Sequence, residues 1–205
     1  MNLRTLIFFL STIALFGQSL NAGPKPKPKV QFTTTLGSFV VELEPEAAPK
    51  TVENFVEYAK SGFYKETTFH RVIKTFMIQG GGQTADGSVK RGRDPIVNEA
   101  KQSSEMGLKN TRGTIAMART SNPDSATSQF YINVVDNNRL DYPYTDGAGY
   151  CVFGRVIEGM DTVDKIRDVP TGQGDRPTDP VIITEAKYIA PRARWHRILV
   201  FWKRR

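Results

Sequence analysis

Apolar and polar residues alternate in short runs along most of the chain, as they do in strands that bury one face. The first two runs, residues 30–34 and 39–43, lie close together and predict a β-hairpin. Later runs of the same kind occupy residues 113–118, 128–134, 150–156 and 181–189. Many short strands separated by turns predict an antiparallel barrel.

Helical spacing of apolar residues is seen in only two segments. Residues 48–60 place Pro49 in the first turn and then bring Val52, Phe55, Val56 and Ala59 to one side. Residues 160–167 repeat the pattern more briefly, with Val163 and Ile166. We expect the first of these helices to pack on the core and to carry no site.

Residues 69–82 hold two predicted strands, joined by a Lys-Thr turn and followed by three glycines. Successive strand side chains point to opposite faces. One face of the first strand is therefore predicted to carry Phe69, Arg71 and Ile73. The opposite face is predicted to carry His70 and Val72. A guanidinium is thus expected to stand beside apolar side chains.

The second of these strands and a later one extend the same wall. Met77 and Gln79 share a face, and Phe76 stands at the mouth of the strand. In the run at residues 128–134, Gln129 and Tyr131 also share a face. The sequence therefore predicts a wall built of a thioether, a phenol and two amides.

Five motifs in order resemble the cyclophilin family of peptidyl-prolyl cis-trans isomerases, most closely its signal-bearing bacterial members. They are FHRVI at 69–73, FMIQGGG at 76–82, GTIAMA at 113–118, SQFYINV at 128–134 and VFGRV at 152–156. The resemblance covers residues 30–190. It implies a closed eight-stranded antiparallel β-barrel capped by two helices, and isomerisation of peptide bonds that precede proline.

The resemblance also implies which residues form the site. Arg71 would be catalytic, because a charged donor can hydrogen-bond to the prolyl nitrogen when the bond is twisted. The pocket for the prolyl ring would be formed by Phe76, Met77, Tyr131 and Leu140. Gln79 and Gln129 would bind the substrate backbone or hold Arg71, and Ala118 and Arg119 would flank the groove through backbone groups. Tyr131 replaces the Phe of many members, and Tyr150 replaces a His of many eukaryotic ones.

Other chemistry receives little support from the sequence. His70 and His196 are the only histidines, which argues against a His-based metal site or a Ser-His triad. The three glycines are not followed by the Lys-Ser/Thr of a phosphate-binding loop. The single cysteine, Cys151, lies in an apolar run and is interpreted as a buried small hydrophobe. We therefore expect no cofactor and no metal.

The two ends of the chain differ from its body. Residues 1–22 are typical of a secretory signal, with Arg4, an apolar stretch and Ala22 at the end, although an uncleaved anchor is the alternative. Residues 23–29 alternate Pro and Lys and predict an extended spacer. Residues 191–205 are basic and aromatic. They could make weak contact with a membrane surface, but we favour an extension without a partner.

Charge distribution restricts the partners. The formal net charge is +7, and ten positive charges lie in the end segments, at Arg4, Lys25, Lys27, Lys29, Arg192, Arg194, Arg197, Lys203, Arg204 and Arg205. Subtracting them leaves the body of the chain with a formal net charge of −3. A body with this charge is not expected to bind nucleic acid through a basic surface.

We expect a monomer that acts on X-Pro segments of unfolded or folding exported proteins. It would lie in the periplasm if an outer membrane exists, and otherwise outside the cell or on its envelope. A holdase chaperone or proline-peptide binding module that uses the same groove without turnover is the alternative function.

Overall fold

The computed structural model describes residues 26–144 and 146–191. The predicted signal, the first three residues of the spacer and the tail beyond residue 191 lie outside the described residues. The end of the predicted spacer is already part of the domain. Lys27 forms an ion pair with Glu44 at 2.6 Å, the Leu43 N–H donates to the Pro28 carbonyl at 2.9 Å, and the first strand begins at Lys29.

Within residues 26–144 and 146–191, eight strands form one antiparallel sheet, as predicted. They are β1 (Lys29–Thr34), β2 (Gly37–Leu43), β3 (Arg71–Ile73), β4 (Met77–Gly80), β5 (Thr114–Met117), β6 (Phe130–Asn133), β7 (Val152–Glu158) and β8 (Ile183–Ile189). Their order across the sheet is β3-β4-β6-β5-β7-β2-β1-β8. The site lies at the β3 end of this order, on β3, β4, β6 and β5.

The sheet curls until its two edge strands approach each other. β3 and β8 form no ladder of their own, but the residues just before them join in an antiparallel bridge between Thr68 and Ile182. The Phe69 N–H donates to the Val181 carbonyl at 2.9 Å, and the Ile183 N–H donates to the Thr67 carbonyl at 2.7 Å. The two edges of the predicted barrel are therefore joined by hydrogen bonds between residues 67–69 and residues 181–183.

Three α-helices accompany the sheet in the part of the chain that the structure describes, one more than predicted. α1 (Pro49–Lys60) and α3 (Met160–Arg167) are the two predicted helices, and α2 (Ala100–Glu105) is the additional one. α2 has six residues, of which only Ala100 and Ser103 are buried. So short and polar a segment shows no helical periodicity, which is why the sequence did not reveal it.

The main core fills the inside of the curled sheet and is rich in aromatic rings. Phe130 lies at its centre, with ring centroids of Phe32, Phe55, Tyr64 and Phe69 within 5.3 to 6.0 Å. The predicted position of Phe69 beside Arg71 was therefore wrong. β3 begins only at Arg71, so the strand alternation does not extend back to Phe69, which turns inward.

The first turn of α1 is capped by a residue from a distant loop. Glu99 is buried, and its carboxylate accepts hydrogen bonds from the Lys50 N–H at 3.1 Å and from the Thr51 N–H at 2.8 Å and hydroxyl at 2.7 Å. The residue preceding the helix, Ala48, provides no side-chain cap. A negative charge here also complements the positive end of the helix dipole.

Substituting Glu99→Gln is expected to lower the free energy of unfolding by about 1–2 kcal/mol, because a neutral amide replaces a charged acceptor of three hydrogen bonds. Urea titration followed by circular dichroism measures the change. Glu105→Gln, which alters an exposed residue of α2, is the control. Equal stability of the two variants would contradict the capping role.

Candidate active site

A second, smaller apolar cluster lies on the outer face of the sheet, separate from the main core. Met77, Ala116, Tyr131 and Val152 form it. Their strand neighbours Ile78, Ile115, Ile132 and Phe153 point into the main core. Strand alternation thus makes one sheet bury two apolar surfaces, and the outer one forms the floor of a pocket.

The pocket has a volume of about 130 Å³. It is lined by nine of the ten predicted site residues: Arg71, Phe76, Met77, Gln79, Ala118, Arg119, Tyr131, Leu140 and Tyr150. The tenth, Gln129, lines an adjoining cleft with Gln79, Ala118 and Arg119. The structure therefore brings the predicted residues together, while their roles stay predictions.

Strand register places the polar and apolar parts of the pocket in one row. Arg71 is paired with Gln79, Gln79 with Tyr131, and Tyr131 with Ala116 across four neighbouring strands. Directly opposed residues share a face and lie close together. The guanidinium and the floor of the pocket are consequently fixed relative to each other by backbone hydrogen bonds.

Arg71 has its hydrogen-bond partner in a distant loop. Its Nε donates to the Asp175 carboxylate at 3.3 Å. Gln79 instead donates to Gln129 at 3.0 Å, and within the described part of the chain neither glutamine hydrogen-bonds to Arg71. Of the two roles left open for the glutamines, holding Arg71 has no hydrogen bond behind it among the described residues, and binding the substrate backbone stays a prediction. Asp175 is 104 residues further along in a loop, and no sequence signal linked it to Arg71.

Tyr131 has its hydroxyl buried and satisfied. It donates to Asn110 Oδ1 at 2.7 Å, and Asn110 in turn donates from its backbone and side chain to Asp141 at 2.7 and 2.9 Å. Burial raises the pKa of Tyr131 well above its usual range, and nearby Tyr150, among other groups, adds to the effect. The phenol therefore stays neutral and contributes its ring to the pocket floor. Asn110 lies 21 residues away along the chain, and no local sequence pattern identifies it as the partner of this hydroxyl.

Arg119 contributes to the pocket mainly as a brace. Only 3% of its side chain is exposed, and it donates to the Gly149 carbonyl at 3.0 Å and to the Asp146 carboxylate at 2.9 Å. The guanidinium lies over the Tyr150 ring, 4.3 Å from its centroid. The prediction considered only the backbone next to Arg119. Its side chain in fact fixes the loop that carries Tyr150.

Backbone contacts fix the remaining rim. Leu140 ends a short 3-10 helix, Asn138–Leu140, and its carbonyl accepts from the Tyr150 N–H at 2.8 Å. The Asn137 side chain donates to the Phe76 carbonyl at 2.8 Å. Side chains on three separate segments are thereby held around one opening, which favours a largely preformed pocket.

Gly82 is required because the Gln129 side chain passes over it. A Cβ placed there would lie 2.7 Å from Gln129 Nε2 and 2.8 Å from its Cδ. Gly82→Ala is expected to displace the Gln129 side chain and so remove the hydrogen bond that it accepts from Gln79. We expect kcat/KM to fall about fivefold, which corresponds to one hydrogen bond of about 1 kcal/mol. Steady-state kinetics should give Gln129→Ala a similar loss, whereas full activity of Gly82→Ala would contradict this role.

Neither the cysteine nor the described histidine adds reactive chemistry to the pocket. Burial raises the pKa of Cys151 to about 12, so its thiol stays protonated. His70 lines a separate crevice with Arg176, and burial lowers its pKa, with the charges of Arg176 and Arg71 adding to the shift.

Across residues 26–144 and 146–191, no cluster of three or more acidic, His or Cys side chains is arranged to hold a metal. In the same ranges no helix has the length and apolar character needed to cross a membrane.

Comparisons with known proteins agree on one family. The profile described as "Cyclophilin type peptidyl-prolyl cis-trans isomerase/CLD" matches residues 29–188. A peptidyl-prolyl cis-trans isomerase of Acinetobacter baylyi is 54% identical over 159 residues, covering 78% of this chain and 82% of that protein. Peptidyl-prolyl cis-trans isomerase A of Dickeya dadantii is 44% identical over 193 residues, covering 92% and 99%. A crystal structure of a Cryptosporidium parvum cyclophilin-type isomerase is 29% identical, with a TM-score of 0.63, and covers 81% and 99% of the two chains.

Proposed function

Because this chain belongs to the cyclophilin-type peptidyl-prolyl cis-trans isomerase family, we propose that Arg71 carries out the isomerisation, without a covalent intermediate, on X-Pro bonds of exported proteins. The observation that carries this proposal is the row formed by Arg71, Gln79 and Tyr131 at the edge of the apolar pocket. The proposal has two parts, a mechanism and a class of substrate.

The mechanism follows from the electronic structure of the bond. Resonance gives the C–N bond partial double-bond character, so rotation has a barrier of about 18–20 kcal/mol. At the twisted transition state this resonance is lost, and the nitrogen gains a lone pair that can accept a hydrogen bond. A donor aimed at that nitrogen stabilises the twisted state more than either planar state, which is the requirement for catalysis.

Arg71 meets the chemical requirement for this donor. Its guanidinium is always charged and carries five N–H donors. It lies at the pocket edge with its side chain 42% exposed, so the tip can reach a bound peptide. A reduction of the barrier by ~6 kcal/mol would accelerate the reaction about ten-thousand-fold. One donor would supply part of this, and orientation of the peptide would supply the remainder.

The pocket supplies the orientation. Phe76, Met77, Tyr131 and Leu140 surround an opening suited to an apolar ring. Burying the prolyl ring there would place the preceding peptide bond beside Arg71. The side chains of Gln79 and Gln129 lie next to the opening and would bind the peptide backbone. Ala118 borders both the pocket and the adjoining cleft, where the residue before proline would lie.

Turnover of a short X-Pro peptide tests this function directly. The mature chain should accelerate cis-trans isomerisation in a protease-coupled assay, and should speed the proline-limited refolding phase of a denatured exported protein. An aggregation assay on the same client is run in parallel. Suppressed aggregation without any turnover would show a holdase in place of an isomerase.

The exported location rests on the signal-like residues 1–22. Fusing them to a reporter that is active only outside the cytoplasm should give activity, and deleting the apolar stretch should abolish it. A reporter that stays inactive when fused to the intact residues 1–22 would contradict the exported location.

The basic tail is tested by a separate experiment. Pelleting of the mature chain with anionic liposomes, lost on deletion of residues 191–205, would show membrane contact. Equal pelleting of both forms would exclude it.

A further inference from the structure

The loop between α3 and β8 brings a carboxylate to the proposed catalytic arginine. Asp175 Oδ2 lies 3.3 Å from Arg71 Nε, and Asp175 ends a short 3-10 helix, Gln173–Asp175. We propose that Asp175 is a positioning residue for the isomerisation, which orients the Arg71 guanidinium toward the pocket. This inference rests on the proposed role of Arg71.

The atom that is engaged determines which donors remain. Nε is the guanidinium nitrogen nearest the main chain, and its single hydrogen points to Asp175. The four hydrogens on the two terminal nitrogens have no hydrogen-bond partner within the described residues. Because the guanidinium is planar and rigid, holding Nε fixes the directions of the other four donors. The carboxylate can therefore orient the arginine without occupying the donors that a substrate needs.

The loop can serve as an anchor because its own hydrogen bonds hold it. The Gly172 N–H donates to the Arg176 carbonyl at 2.8 Å, and the Thr178 N–H donates to the Pro170 carbonyl at 2.9 Å. Thr171 and Pro177 form an antiparallel bridge between them. These contacts do not involve Arg71, so the position of the carboxylate does not depend on the side chain that it orients.

The backbone of Asp175 points to the same role. Its φ is 61°, in the left-handed region that few residues other than glycine adopt. Such conformations are disfavoured and are often found at functional sites. Asp and Asn tolerate this region better than most residues. Replacing Asp175 by Asn would therefore remove the charge while retaining a suitable residue for the turn.

The expected effect is modest and sensitive to salt. Both side chains are partly exposed, 42% for Arg71 and 46% for Asp175, and ion pairs of this kind contribute little. We expect Asp175→Asn to lower kcat/KM about two- to fivefold. The loss should lie mainly in kcat, because Arg71 would act on the twisted bond and not on the planar substrate. High salt should reduce the difference by screening the pair.

The experiment compares four single variants, Arg71→Ala among them, and one double variant of the mature chain on an X-Pro peptide, at low and high salt. Asp175→Asn is expected to lower kcat, and Asp175→Glu, which keeps the charge, to recover part of it. Asp179→Asn, a change of charge at an exposed position of the same loop, should match wild type. Thermal unfolding of each variant shows whether the loop is intact.

The double variant separates this inference from the function on which it rests. If Asp175 acts through Arg71, adding Asp175→Asn to Arg71→Ala should cause no further loss. Full activity of Arg71→Ala would overturn the proposed mechanism itself. If Arg71→Ala is inactive while Asp175→Asn equals wild type or exceeds it, the mechanism stands and the positioning role is wrong. An equal loss in Asp179→Asn would also overturn that role, because it would show only a general effect of charge.

Discussion

Arg71→Ala is expected to lower kcat/KM for a short X-Pro peptide by about a hundredfold to a thousandfold, the range found when one preorganised transition-state donor is removed. The loss should appear in kcat, because the planar substrate has little need of this donor. The protein should remain folded, since the side chain lies on the outer face of β3 and is partly exposed. Steady-state kinetics with a circular dichroism spectrum of the variant measures both effects.

Two controls make this result specific. Arg71→Lys keeps the charge but replaces the rigid fork by a flexible point charge, so we expect only partial recovery of activity. Lys187→Ala removes a positive charge from β8, away from the pocket, and should leave kinetics unchanged. A loss of only about threefold in the kcat/KM of Arg71→Ala would be far smaller than the expected loss. It would show that the pocket alone accelerates the reaction.

The outer wall of the site could be predicted because it depends on strand alternation. Arg71, Gln79 and Tyr131 lie on one face in successive strands, and a period of two places them correctly once the strands are recognised. Phe69 shows where this reasoning ends. The same alternation was extended two residues beyond the true start of β3, and the side chain lies in the main core. Strand boundaries cannot be read from the pattern alone.

The residues that support the site could not be predicted, because contacts between distant loops leave no local pattern. Asp175 reaches Arg71 across 104 residues, and Asn110 reaches Tyr131 across 21. Arg119 was recognised, but the burial of its side chain depends on Asp146 and Tyr150 in a separate loop. Periodicity identifies the face on which a side chain lies. The partner that satisfies its polar atoms is determined by tertiary structure.

The two faces of β6 should contribute unequally to stability. Phe130 points inward to the main core, while its neighbour Tyr131 points outward to the pocket. Phe130 is fully buried and its ring lies 5.3 Å from Phe32 and 5.5 Å from Tyr64. Tyr131 instead belongs to the smaller outer cluster and donates a hydrogen bond to Asn110. Removing the Phe130 ring should therefore cost more stability than removing the Tyr131 hydroxyl.

Phe130→Ala is expected to lower the free energy of unfolding by about 3–5 kcal/mol, because it removes a large ring from a packed core and leaves a cavity. That is a large share of the 5–15 kcal/mol typical of a domain, and should lower Tm by roughly 10 °C. Circular dichroism is the appropriate probe, because it follows the sheet directly and both tryptophans lie outside the described residues.

Tyr131→Phe is the matched comparison for this prediction. It keeps the aromatic ring of the pocket and removes one hydrogen bond, so we expect it to cost about 1 kcal/mol of stability. If Phe130→Ala does not accumulate as folded protein, Phe130→Leu should show a smaller loss in the same direction. Equal destabilisation by Phe130→Ala and Tyr131→Phe would mean that the outer cluster supports the fold as strongly as the main core.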